Sequence, residues 1–298
     1  MRHRLPADVL LLLTILFWSF NFTAVKYGLL HGFLPLVYAT VRFGGGSAVF
    51  SGYTYGRERS LRVAKRDMAL VLGAAGVGIY INQMSFVYSV DLANASTTAL
   101  VFGTLPIFVA LIAWAARTER LHARHWIAVG VSFAGVALVA GGAGGGLTGS
   151  VGGILLGLGA AATWAAYSVA IGPLMRRYSP YRLSAVVGLA AILPLALTSA
   201  GQLARQDWGS ITGGAWLAVL YSMLLSFVLT NVLWFTAVER VGAARSSLYA
   251  NLQPFLGAVI AVVALGETMG WLQALGGAVI AAGIVIARQA RPPAAQID

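Results

Sequence analysis

Residues 81–86 read INQMSF and residues 229–234 read LTNVLW. The first stretch puts two side-chain amides, Asn82 and Gln83, into a largely apolar run from Met68 to Val90. Amides are costly in hydrocarbon unless they find partners, so their presence asks for a reason. Sliding the chain against itself by 148 positions lays one stretch on the other, with Gln83 on Asn231 and Phe86 on Trp234. The same shift lays Leu100 on Leu248, Pro106 on Pro254 and Glu119 on Glu267. A shift of 146 lays Trp18 on Trp164 and Asn21 on Tyr167, and a shift of 145 lays Pro35 on Pro180. One coincidence would carry little, but an ordered series whose offset drifts by only three residues reads as a duplication.

What is duplicated follows from composition. Of 298 residues, 59% are hydrophobic and only 10% are charged, with a mean hydropathy of +0.81. A soluble domain carries about 25% charged residues. Apolar runs of about 20 residues recur, each long enough as a helix to cross a hydrocarbon core of roughly 30 Å. The expectation is an all-α polytopic membrane protein with ten spans. They lie near 9–29, 34–54, 68–88, 92–116, 126–141, 151–173, 182–200, 213–237, 243–265 and 269–288. The amino-terminal run has a basic start but no small-residue cleavage pattern, and reads as an uncleaved first helix.

Five spans per copy is an odd number, so the second copy enters the membrane upside down. The expected architecture is two inverted five-helix repeats, 1–146 and 147–298, forming one transmembrane domain, as in many secondary transporters. The charges agree. With the amino terminus in the cytoplasm, the inner side holds Arg2, Arg4, Arg57, Arg59, Arg62, Lys65, Arg66, Arg117, Arg120, Arg124, Arg176, Arg177, Arg182, Arg240, Arg245, Arg288 and Arg291. The outer side holds Arg205, while Lys26 and Arg42 fall within spans. This is the lysine and arginine bias of cytoplasmic loops, so both termini are expected inside. It also accounts for the net charge of +11 without nucleic acid. Lys26 lies close enough to the outer end for its ammonium to snorkel.

Polar and aromatic residues within the spans mark candidate substrate contacts: Trp18, Asn21, Arg42, Tyr80, Asn82, Gln83, Phe102, Trp164, Tyr167, Asn231, Trp234 and Asn251. A recurring amide with a neighbouring ring suits a wettable path between the halves. Gln83 and Asn231 lie at different depths, which suggests opposite mouths, while Arg42 lies near the midplane. Trp18/Asn21 and Trp164/Tyr167 are each three apart and share a helix face. They form either a stacking wall for a planar ligand or ordinary packing. An arginine at mid-span costs about 2.5–3.5 kcal/mol on insertion scales. Arg42 therefore attracts a substrate carboxylate, is tethered to carbonyls, or marks a misplaced span. Pro106 and Pro254 each remove a helical hydrogen bond and kink spans four and nine, as gating bends or as static kinks.

Other chemistries find little support. The nine acids all fall in loops, tails or span ends, so no midplane carboxylate is available as a cation counter-ion or obvious proton carrier. With zero cysteines there is no thiolate metal site or nucleophile, and no HExxH or embedded acid pair suggests an enzyme. No metal or cofactor is expected. GGAGGG, at 141–146, has no following Lys-Ser/Thr and is a connector, not a phosphate loop. GILLG, at 153–157, permits close helix approach. A receptor-like or purely structural protein stays open as a reading.

FWSFNFTAVKYGL (17–29), ANASTTALVFGTLPIFVALIAW (93–114) with the TERL after it, and AARSSLYANLQPFLGAVIAVVALGE (243–267) resemble the drug/metabolite transporter superfamily. Within it the chain is similar to the EamA-type ten-helix exporters, and its aromatic lining to bacterial aromatic amino-acid exporters of the YddG type. The resemblance implies a central cavity built by spans one to four and six to nine, with five and ten peripheral. It also implies export across the bacterial inner membrane. The expected protein is a secondary transporter of amino acids, aromatic ones included, and related metabolites. It would work by alternating access, as a monomer in contact with lipid. The alternative is a proton-coupled exporter of amphipathic drugs or other metabolites.

Overall fold

The computed structural model describes residues 5–117, 123–142 and 149–289, with the backbone alone at 149–150, 243–245, 247–248 and 288–289. Glu119, the TERL stretch and most of the Gly-rich connector lie outside the described residues. Among the described residues every regular element is helical. The rods are α1 (Ala7–Leu30), α2 (Pro35–Glu58), α3 (Lys65–Leu92), α4 (Ala95–Ala115), α5 (Ala123–Gly142), α6 (Gly149–Ala170), α7 (Pro180–Arg205), α8 (Gly213–Gly242), α9 (243–265) and α10 (Trp271–Gln289). α1 and α3 to α8 are long and apolar enough to cross a membrane, whereas α10 and the apolar helix of α9, Gln253–Leu265, are shorter. α2 has the length, at 24 residues, but carries Arg42 and a polar last turn. Leu193, Leu197, Leu217, Val263 and Trp271 are each more than two-thirds exposed, a lipid-facing exterior rather than a soluble one.

Helix ends follow local chemistry. Pro35 and Pro180 open α2 and α7 in the first turn, where a missing N–H costs nothing. Ser179 caps α7 by accepting from the Arg182 amide at 3.1 Å. Gly242, at φ 81° and ψ 158°, ends α8 and lets α9 begin. Gly266 adopts the left-handed conformation at φ 64° and ends α9.

Two kinds of irregularity recur at matched places. α3 widens into a π-helix over Ala75–Ile81, immediately before Asn82, and α8 does so over Leu224–Leu229, immediately before Thr230. α4 breaks at Gly103–Thr104, and α9 breaks at Asn251–Leu252. Each break lies 148 positions from its counterpart. The break residues have φ between −57° and −76° and ψ between −7° and −23°, the geometry of a 3₁₀ turn. Pro106 and Pro254 stand in the first turn after each break. The expected bend inside a continuous helix is therefore a break and a restart. The physical reason is that proline is tolerated best where a helix starts, so the chain restarts there.

Packing is pairwise and reciprocal. α2 lies on α7, α4 on α9 and α5 on α10, while α3 packs on α6 and α1 packs on α8 and α9. α5 and α10 lie mainly against each other, and a Cβ on Gly135 or Gly276 would strike the other helix's backbone within 3 Å. α4 divides its neighbours. Its first piece, Ala95–Phe102, packs on α1, α9 and α6, whereas its second, Leu105–Ala115, packs on α6, α5 and α10.

At one end of the bundle Asp67 accepts from Arg177 Nη1 at 2.6 Å and from Tyr178 Oη at 2.7 Å. At the same end Glu58 accepts from Arg182 and from the Ser179 hydroxyl. These contacts tie the end of α2 and the start of α3 to the residues leading into α7 and its first turn.

Candidate functional site

Arg42 sits two turns into α2 and is only 8% exposed. It is held by the two amides of the 81–86 stretch. Its Nη1 donates to Gln83 Oε1 at 3.2 Å, Gln83 Nε2 donates to Asn82 Oδ1 at 3.0 Å, and Asn82 Nδ2 donates to the Ala160 carbonyl at 2.7 Å. Thr163 Oγ1 lies 3.4 Å from the same Nδ2. The order of this relay is forced. A guanidinium only donates, so Gln83 must turn its oxygen toward Arg42. Its nitrogen then faces the Asn82 oxygen, and the last N–H₂ is left for a carbonyl. The amides thus carry the desolvation of a buried cation across α3 to α6. Sequence depth had separated Gln83 from Arg42, and the structure brings them into contact.

Arg42 is not fully used. Its Nε is buried without a hydrogen-bond partner. Its guanidinium carbon lies 5.8 Å from the centre of the Phe86 ring, so one face rests on an aromatic surface. Phe86 belongs to a trio with Phe22 and Phe102, with ring centres 5.5, 5.7 and 5.8 Å apart and planes steeply inclined. Asn21, next to Phe22 on α1, is 5% exposed, and its Oδ1 has no donor.

An aromatic pair joins α1 to α8. The Trp18 and Trp234 rings are 5.2 Å apart at 45°. Trp164 and Tyr167, three apart on α6, also touch, at 5.3 Å. Tyr167 is buried against Gly78 in the π-helix of α3. The remaining candidates lie elsewhere. Tyr80 bonds at 2.8 Å to exposed Thr198 on the outside of α7. Asn231 Nδ2 turns back on its own helix, to the Phe227 carbonyl at 2.7 Å, where the π-helix loosens the backbone ladder. Asn251 sits in the break of α9.

Sequence reading missed four participants. Phe86 had been matched to Trp234 but not taken as a contact, and Phe22 lies one residue from Asn21. Lys26, expected near the outer end, finds backbone partners there. Its Nζ donates to the carbonyls of Val90, Asp91 and Ala93 at 2.9, 3.0 and 2.9 Å, at the end of α3. Glu267 accepts from the Ala95 and Ser96 amides at 2.8 and 2.9 Å, at the start of α4. The sequence offers no sign of these partners, because they are backbone groups at helix ends.

Among the described residues no group of three or more His, Asp or Glu could hold a metal ion. Two apolar clefts, each of about 330 Å³, open between helices. One is lined by Phe20, Tyr27, Leu217 and Tyr221, the other by Leu100, Phe255, Val259 and Met269. Neither contains a sequence-predicted site residue. The relay and the aromatic trio both pack beside Arg42.

The model of the EamA-like transporter family matches this chain twice, over residues 5–141 and 151–289. The chain is 27% identical over 286 residues to a protein of Salmonella typhimurium named a probable amino-acid metabolite efflux pump, covering 93% of each. It is 27% identical over 282 residues to a probable terminal-alkyne amino-acid exporter of Streptantibioticus cattleyicolor, covering 93% of this chain and 91% of that one. A crystal structure at 22% identity superposes with a TM-score of 0.67, over 96% of this chain and 99% of that one, and so shares the fold.

Proposed function

The chain belongs to the EamA-like transporter family, and on that premise we propose that it exports amino acids, aromatic ones among them, by alternating access between two inverted halves, 1–146 and 147–298. It is a multi-pass membrane transporter and not an enzyme. The observation that carries the substrate reading is Arg42. A buried guanidinium anchored on one edge by neutral amides, with Nε unpartnered and a ring beneath it, suits a planar carboxylate. The Phe22/Phe86/Phe102 trio and the Trp18–Trp234 and Trp164–Tyr167 pairs supply surfaces for an apolar or aromatic side chain. Asn21 Oδ1 is an acceptor available to the ammonium. Relatives named a probable amino-acid metabolite efflux pump and a probable terminal-alkyne amino-acid exporter point the same way.

Alternating access draws support from symmetry. The ends of the two π-helices and the two proline-led breaks keep the 148-residue offset, and the family model matches twice along the chain. The basic residues favour an inner-membrane orientation with both termini cytoplasmic. On that orientation the Lys26 end is periplasmic. The first piece of α4 closes on α1 and α9 there, while its second piece packs on α6, α5 and α10, as in a transporter resting closed to the outside.

The test is flux in liposomes containing the purified protein. Tryptophan and phenylalanine efflux should exceed that of empty liposomes by at least tenfold, without an imposed pH gradient. Arg42→Gln should abolish it, while tryptamine, which lacks the carboxylate, should be indifferent to the substitution. Equal loss of both substrates in a folded variant, or no loss of either, rejects the assignment. Flux that appears only with a pH gradient and favours amphipathic cations selects the proton-coupled alternative.

A further inference from the structure

The turn between α3 and α4, Leu92–Asn94, is gripped at both of its helix ends by charges from elsewhere in the chain. Lys26, on α1, places its ammonium among three carbonyls at the carboxyl end of α3. Glu267, just beyond α9, places both carboxylate oxygens on the first two amides of α4. Each charge has the sign that its helix terminus attracts, since the carbonyl end carries partial negative charge and the amide end partial positive charge. Gly266 makes this possible: its left-handed φ of 64° turns the chain so that the next residue points back at α4.

We propose that Lys26 and Glu267 are the latch of one transport gate, with the α3–α4 turn as its moving part. The inference rests on the alternating-access reading above. Three observations point to a latch and not to general packing. First, both residues reach the turn from outside α3 and α4, so they hold one group of helices against another. Second, all five contacts are charge-assisted bonds of 3.0 Å or less to backbone, made at the end of the bundle where α4 meets α1 and α9. Third, α4 breaks two turns further on, at Gly103–Thr104, which places a hinge between its first piece and its second. Gln273 Nε2, which donates to Thr97 Oγ1 at 3.1 Å, adds a neutral contact to the same piece and would have to part with it.

The hydrogen bonds of the latch go to helix ends, although the carboxylates of Asp91 and Glu267 both lie within electrostatic reach of Lys26, and the geometry of these bonds gives the experiment its discriminating arm. The chain has no cysteine, so Ala99→Cys supplies a single thiol on the first piece of α4, at a position that is fully buried. Its reaction with a membrane-impermeant maleimide is followed in sealed vesicles of each orientation. In the Ala99→Cys parent the thiol should react slowly from the Lys26 end. Adding Lys26→Met or Glu267→Gln should speed that reaction at least tenfold from that face only, and Lys26→Arg should keep the parental rate. The charge-exchanged variant Lys26→Glu with Glu267→Lys should react faster than either single variant, because each charge now faces the wrong helix end. Parental rates in Glu267→Gln, which preserves shape, or rescue by the charge exchange overturns the latch. If Lys26→Met does not fold, Glu267→Gln decides alone. Amino-acid flux by the parent is measured in the same vesicles. Flux with unchanged labelling rejects the latch and leaves the transport reading intact, whereas absent flux rejects the transport reading itself.

Discussion

Arg42 and Gln83, 41 positions apart, meet at 3.2 Å inside the bundle, and that contact explains why two amides interrupt the third apolar run. The cation is paired with dipoles and not with an acid. A buried carboxylate would neutralise Arg42 permanently and compete with any anionic ligand, whereas an amide oxygen satisfies one N–H and leaves the charge uncompensated.

That distinction predicts the behaviour of Gln83→Glu. The new carboxylate should pair with Arg42, leave thermal stability equal or higher, and cut amino-acid flux at least tenfold by occupying the charge. Gln83→Leu should instead strand a buried guanidinium and cost about 1–3 kcal/mol of stability. Thermal unfolding in detergent, read beside liposome flux, separates the two. Loss of stability in both, or unaltered flux in Gln83→Glu, would remove Arg42 from the substrate path.

The Trp18–Trp234 contact links α1 to α8, so on the proposed reading it should matter to aromatic cargo more than to folding. Trp18→Ala should lower tryptophan flux several-fold more than alanine or valine flux, since one aromatic contact is worth about 0.5–1.5 kcal/mol. A competition assay with paired substrates gives the ratio directly. Equal reductions for aromatic and aliphatic substrates would assign the pair to packing.

Much of this was legible beforehand, and what was not has a physical reason. Hydropathy and the 148-residue offset placed the helices, because hydrocarbon demands about 20 apolar residues and duplication preserves spacing. Arg42, Trp18 and Trp164 stood out because polar or bulky groups at mid-span are expensive or rare. The partners were hidden. Nothing local to Arg42 says that Gln83 supplies its acceptor, because register between helices is set by packing. Phe86 stood out only as the counterpart of Trp234, with nothing to show that it lies against Arg42. The bonds of Lys26 and Glu267 go to backbone, which leaves no side-chain signature. The π-helices were also invisible, as Ala75–Ile81 and Leu224–Leu229 read as ordinary apolar helix.

Gly78, in the first π-helix, is pressed against Tyr167 so closely that an added Cβ would enter the side chain. Gly78→Ala should therefore destabilise by about 1–3 kcal/mol, the usual range for overpacking. The cost should shrink in a Tyr167→Ala background, where the space is free. A double-mutant cycle on thermal unfolding measures this coupling, and additive effects would show that the π-helix does not depend on the contact.

Pro106 and Pro254 offer the sharpest separation of stability from motion. Each stands in the first turn of a restarted helix, where its missing N–H breaks no bond and its fixed φ suits the geometry. Replacing either with alanine should change unfolding by no more than about 0.5 kcal/mol, far below the ~3 kcal/mol of a mid-helix proline. Alanine restores an N–H, however, and with it the option of running α4 or α9 straight through the break. If the breaks are the hinges on which the first pieces swing, a straightened helix resists the swing. Flux should then fall at least fivefold in each single variant and further in the double variant, at unchanged folded yield. Parental flux in both single variants would show that the breaks are fixed features of packing. The matched offset would then record common descent of the two halves without a shared motion.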